Sequence, residues 1–135
     1  MTSLPKPLGS YSQYKIVDNL IFIAGQGSRN HLTNQEAGIT LDSSGNLLSY
    51  DIKAQTTGCI NNLRTVLELL NLNLTDVVDL TVFLKAMADF AAYNQIYNEY
   101  FNFPNPPTRT TVGVLDLPGH NFIEIKAIAM QKEKS

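Results

Sequence analysis

The last apolar run of the chain, FIEIKAIAM from Phe122 to Met130, alternates as a β-strand does. Alternation puts Ile123, Ile125, Ala127 and Ala129 on one side, and Phe122, Glu124, Lys126, Ile128 and Met130 on the other. The first set is a plain core face. The second mixes large apolar residues with a carboxylate and an amine, which suits neither a sealed core nor an ordinary wet surface. A chain built on this strand needs helices over one sheet face and a second cover, enclosing a polar site, over the other. Another subunit would supply that cover. Charged residues are only 16% of the chain, so solvated positions are few and a partly covered surface is expected.

The remaining segments fit one domain over residues 1–135, with no repeat, low-complexity tract or linker. YKIVDNLIFIAG reads as two strands turning at Asp18-Asn19, and GITLDSSGNLLSY as a second hairpin turning at Ser43–Asn46. Between them QGSRNHLTNQEA is polar and aperiodic, a long surface loop of the kind that often carries function. Ile52, Cys59, Ile60, Leu63, Val66, Leu67 and Leu70 recur at helical spacing behind a cap at Asp51. Gly58 inside that helix implies a close-packed neighbour. VVDLTVFLKAM is apolar at nearly every position and reads as a strand covered on both sides. A second helix, capped by Asp89, carries Phe90, Tyr93, Tyr97, Tyr100 and Phe101 and ends at NFPNPP. TTVGVLD and FIEIKAIAM are the last strands, joined through LPGHN. The order ββ, hairpin, α, β, α, β, β predicts an α+β sandwich, a mixed sheet with two helices on one face.

Composition narrows the function classes. Ten Lys and Arg against twelve Asp and Glu give a net charge of −2, and the cations are scattered. Nucleic-acid binding draws on clustered cations, so it is disfavoured. One cysteine, Cys59, excludes an internal disulfide and a cysteine-rich metal site; its helical register makes it core filler. The two histidines, His31 and His120, have no ligand cluster beside them, so no metal site is expected. GQGSRN lacks the spacing of a phosphate loop. No signal peptide or membrane span is read, so a cytoplasmic, reducing setting is expected.

What stands out is the pair Arg109 and Glu124, one cation and one anion in the two final strand-like runs. Charges in such positions are paired or working. Arg109 could form a structural salt bridge or hold a carboxylate in its planar fork. Glu124 could pair with Lys126 or a neighbouring subunit, or act as a proton relay with a pKa raised by burial.

GSYSQ at 9–13, IAGQ at 23–26, VVDLTVFLKAMADFAAYNQIY at 77–97, PTRTTV at 107–112 and IEIKAIA at 123–129 resemble, in order and spacing, the Rid (YjgF-type) family of enamine/imine deaminases. The resemblance spans nearly the whole chain. It implies a chorismate-mutase-like homotrimer with active sites between subunits, no metal or organic cofactor, and a small enamine or imine carboxylate as partner. On it, Arg109 binds the substrate carboxylate and Glu124 positions water and moves protons. Tyr11 lines the cleft, where packing is its plainer role. Gly25 brings backbone close to substrate. Asn94 faces the site, where helical position alone would make it solvated or capping. Thr111 takes the place of a cysteine frequent in generic members and contacts the leaving nitrogen through its backbone. RTTV, ADFAAYNQIYNEYF and IEIKAIA are most similar to the 2-aminomuconate deaminase branch, and GQGSRN and GSYSQY depart from the generic patterns. A longer, dicarboxylate substrate would need a second anchor, for which His120 and Arg29 are candidates; otherwise they are plain loop residues. Generic 2-iminobutanoate/2-iminopropanoate deamination, protecting pyridoxal-phosphate enzymes, and a non-catalytic regulatory trimer of the translation-inhibitor or endoribonuclease kind remain alternatives.

Overall fold

A computed structural model describes residues 7–131 of the chain. Residues 1–6, part of the stretch read as lacking a signal peptide, and residues 132–135 lie outside the described residues. A five-stranded sheet runs in the order β1 (Tyr14–Val17), β2 (Leu20–Gln26), β7 (Ile123–Met130), β5 (Val77–Leu84), β6 (Thr108–Gly113). All neighbours are antiparallel except β5 and β6, which are parallel, so the sheet is mixed as expected. The predicted second hairpin forms a separate two-stranded sheet, β3 (Ile39–Leu41) with β4 (Leu47–Tyr50). Helices α1 (Ile52–Leu69) and α2 (Phe90–Tyr100) pack on one sheet face.

The core follows from periodicity. Ile123, Ile125, Ala127 and Ala129 of β7 are buried against Cys59, Ile60, Leu63, Val66 and Leu67 of α1. Asp51 caps α1 as expected, its carboxylate accepting the amides of Lys53 and Ala54. Gly58 is tolerated in mid-helix because a side chain there would press on Ser28: an added Cβ would lie 3.2 Å from the Ser28 carbonyl oxygen. Asp18 has φ of 53°, which the tight β1–β2 turn requires and aspartate accepts.

Three expectations are corrected. Asp89 does not cap α2; its carboxylate accepts the Tyr50 hydroxyl at 2.7 Å, tying the small hairpin to the helix. The sixth strand spans Thr108–Gly113, so it includes Arg109 and stops short of Val114–Asp116. β5 is not covered on both sides within one chain. Leu80, Val82 and Leu84 are buried, whereas Asp79, Thr81 and Phe83 on its other face are half-buried. That face is continuous with Phe22, Ile128, Met130 and Val112, and Phe22, Met130 and Val112 are 38%, 47% and 37% exposed.

Candidate active site

The sheet divides the predicted residues into two groups. Glu124 leaves β7 on the open face, opposite Phe83 of β5. Half-buried, it stands on the wall of a cavity of about 370 Å³ that Tyr11, Gly25 and Arg29 also line. Burial holds its carboxyl above the ordinary glutamate value. Among the described residues Glu124 forms no ion pair, so the pairing with Lys126 that the sequence allowed is not made. A bulge between Ile23 and Gln26 brings Gly25 against it; a Cβ at Gly25 would sit 2.9 Å from the Glu124 carboxyl carbon. Only glycine leaves that carboxyl its place.

The rim is fixed by amides that α1 and the final loop contribute. Gln55 donates to the His120 carbonyl at 2.8 Å and accepts the Phe122 amide at 2.7 Å, locking the residues that lead into β7. Asn62 donates to the carbonyls of Gly27 and Arg29 at 2.9 and 3.0 Å. Asn121 accepts both the amide and the hydroxyl of Ser28 at 2.8 Å. Asn62 and Asn121 line the cavity themselves, with Gln13, Gln26 and Glu36. Sequence reasoning missed these residues. A signal existed for α1: Gln55 sits three residues after Ile52 and four before Cys59, a polar side chain inside an apolar stripe.

Tyr11 is half exposed over the cavity, its hydroxyl accepting the Leu8 amide at 3.4 Å. Arg29 bridges to Glu36 through its backbone and donates to Asn34 at 3.2 Å. His120 is not brought in: Gly119 and Asn121 on either side line the cavity, but His120 does not.

Arg109 belongs to the second group. In β6 it lies beside Leu80, a fully buried residue of β5, and Thr111 lies beside Val82. Both therefore face the helices. The Arg109 Nη1 donates to Asn94 Oδ1 at 2.8 Å, and its Cζ lies 4.4 Å from the ring centre of Tyr97. Thr111 Oγ1 meets the Tyr93 hydroxyl at 2.8 Å. Tyr93 and Tyr97 are buried core residues, as their spacing indicated, and they also wall the guanidinium. Burial raises both phenols, Tyr97 to about 12, against the pull of the Arg109 charge. Among the described residues Arg109 has no carboxylate partner, so the structural salt bridge is absent.

Among the described residues the arrangement is thus one cation without a carboxylate partner under α2 and one carboxyl without a cationic partner, its pKa raised by burial, on the far face. Elsewhere the buried thiol of Cys59 is pushed well up by burial, and among the described residues no group of three His, Cys, Asp or Glu is placed to hold a metal. Nor is any described helix long and apolar enough to cross a membrane.

The Endoribonuclease L-PSP family profile matches residues 1–131. A RutC family protein of Pyrococcus abyssi is 41% identical over 129 residues, covering 95% of this chain and 91% of its own. The human 2-iminobutanoate/2-iminopropanoate deaminase is 35% identical over 128 residues, covering 94% of this chain and 84% of its own. The crystal structure of the YjgF gene product of E. coli superposes with a TM-score of 0.80 at 30% identity, covering 98% of this chain and 96% of that one. With that family profile matching residues 1–131 and relatives of this identity and fold spanning nearly the whole chain, the protein belongs to the Rid family, the YjgF and RutC proteins grouped under the endoribonuclease L-PSP description.

Proposed function

We propose that the protein is a cytoplasmic deaminase that hydrolyses an enamine or imine carboxylic acid to the oxo acid and ammonia, and that it works as a homotrimer with its sites between subunits. One observation carries the reading: Arg109 and Glu124 are both unneutralised, and they face opposite sides of one sheet. A single substrate can touch both only if one copy supplies the arginine and another the glutamate. The open face bearing Phe22, Phe83, Ile128 and Met130 supports a neighbouring copy there, because burying it would remove a continuous apolar surface from water.

The chemistry asks little beyond placement. Arg109 holds the substrate carboxylate by its fork and fixes the imine carbon near Glu124. The protonated Glu124 gives its proton to the imine nitrogen, then as carboxylate takes one from the attacking water. The carbinolamine that forms receives that proton on nitrogen and collapses to the ketone and ammonia as its hydroxyl proton passes back to the Glu124 carboxylate. An enamine first takes a proton on carbon from the same carboxyl. Burial raises the Glu124 pKa above the ordinary glutamate value, the direction that suits it to donate a proton in the first step.

The preferred substrate in this reading is a 2-aminomuconate-like dicarboxylate. Arg29 supports it, since its cationic side chain lines the cavity that holds Glu124. Small 2-imino acids are the second reading, favoured by the name of the human relative. Ammonia release from freshly generated 2-aminomuconate and from 2-iminopropanoate, side by side, separates them. Faster release from the dicarboxylate, abolished by Arg109→Ala and slowed by Arg29→Ala, is expected. Preference for the small imine moves the protein to the generic activity. No acceleration of either overturns the deaminase reading.

A further inference from the structure

Arg109 is held in place without an acid. A guanidinium has five N–H donors, and Asn94 takes one of them. The rest of its support is aromatic. Its Cζ lies 4.4 Å from the centre of Tyr97, 5.5 Å from Tyr93 and 5.8 Å from Phe90, all within the range of about 6 Å at which a ring face attracts a cation. These rings are braced in turn. Phe90 meets Tyr93 edge-on, Tyr93 meets Tyr97 edge-on, and Tyr97 stacks on Phe101 at 4.4 Å. The Tyr93 hydroxyl reaches Thr111, two residues along the strand from Arg109, and lies within the electrostatic reach of the guanidinium.

An acid could orient Arg109 equally well, but it would neutralise the charge that a substrate carboxylate requires. A ring face orients the fork and leaves the charge whole. We infer that Tyr97, aided by Tyr93, is a positioning residue for carboxylate recognition: its ring sets the plane of the Arg109 guanidinium before substrate arrives. The inference rests on the reading of Arg109 as the carboxylate anchor and adds to it the device that pre-orients the anchor.

The test uses the full chain as wild type, Tyr97→Phe, Tyr97→Leu and Tyr93→Phe. The first readout is the Nε–H NMR signal of Arg109, assigned by its loss in Arg109→Lys, and its titration with benzoate as a carboxylate probe. The second is the split between KM and kcat for ammonia release. In the wild type the signal is expected upfield, shifted by the ring current. Tyr97→Phe keeps the shift, with benzoate affinity and KM within about twofold of wild type. Tyr97→Leu loses the shift, and benzoate affinity and KM weaken about tenfold while kcat holds. Should the leucine variant not fold, Tyr97→Met, which keeps much of the bulk and removes the ring, takes its place: a weakening of about tenfold supports the inference and unchanged affinity overturns it, while Tyr93→Phe, which keeps its ring, is expected within about twofold of wild type. An unshifted Arg109 signal in the wild type, or unchanged affinity in a folded Tyr97→Leu, also overturns it. A wild type that binds benzoate through a ring-shifted Arg109 yet releases no ammonia leaves this inference standing and removes the deaminase reading.

Discussion

In the proposed reaction Glu124 carries the chemistry, and two features fit it for that: partial burial raises its pKa, and the missing side chain of Gly25 leaves its carboxyl the space it occupies. Its raised pKa has a sign that can be checked in stability. The native carboxyl keeps its proton more tightly than the unfolded chain does, so above the ordinary value of 4.5 folding loses stability as pH rises through the native pKa. Glu124→Gln removes that dependence. The variant is expected to match wild type below about pH 4.5 and to become the more stable of the two as pH climbs, read from melting temperatures across pH. The same substitution should abolish ammonia release, since an amide relays no proton. Gly25→Ala acts on the same carboxyl from the other side. Its Cβ would displace the Glu124 side chain, and a loss on the order of 100-fold in kcat is expected with the fold retained, measured by steady-state kinetics and circular dichroism.

At the scale of elements, the chain wrote most of its fold plainly. The period of α1, the alternation of β7 and the Asp18-Asn19 turn each depend on local residues, and each formed where the pattern put it. Asp51 and Asp89 show where local reading stops. Both precede a helix, and a side-chain cap depends on backbone geometry that residue type does not reveal. Asp51 is extended, with φ of −114°, and captures two amides. Asp89 is already helical, its φ being −83°, and turns to Tyr50, a residue from another element. Asp51→Ala is therefore expected to cost about 1 kcal/mol through α1 itself. Asp89→Ala should cost a similar ~1 kcal/mol by freeing the Tyr50 hydroxyl, and Tyr50→Phe should remove most of that effect. Denaturant melts of the single and double variants check both. The β5 pattern has a similar limit: a run apolar on both faces signals cover on both faces, and the single chain buries only Leu80, Val82 and Leu84 fully.

For the whole molecule, the candidate site was legible as a list of residues and not as an arrangement. Arg109, Glu124, Tyr11, Gly25 and Asn94 could be named from the motifs. That the two key charges lie on opposite sides of a sheet depends on strand order and on parallel pairing of β5 with β6, which no local pattern encodes. The amides that hold the rim, Gln55, Asn62 and Asn121, bridge segments far apart in sequence and were equally hidden. In the proposed function the division of charges makes an oligomer part of the mechanism, and mixing tests it. Arg109→Ala and Glu124→Gln should each be inactive alone. Unfolded together in equal amounts and refolded, they form assemblies in which about a quarter of the junctions join an intact arginine to an intact glutamate. The account expects ammonia release from that mixture at about a quarter of the refolded wild-type rate. A mixture that assembles fully and stays as inactive as its parts would contradict it.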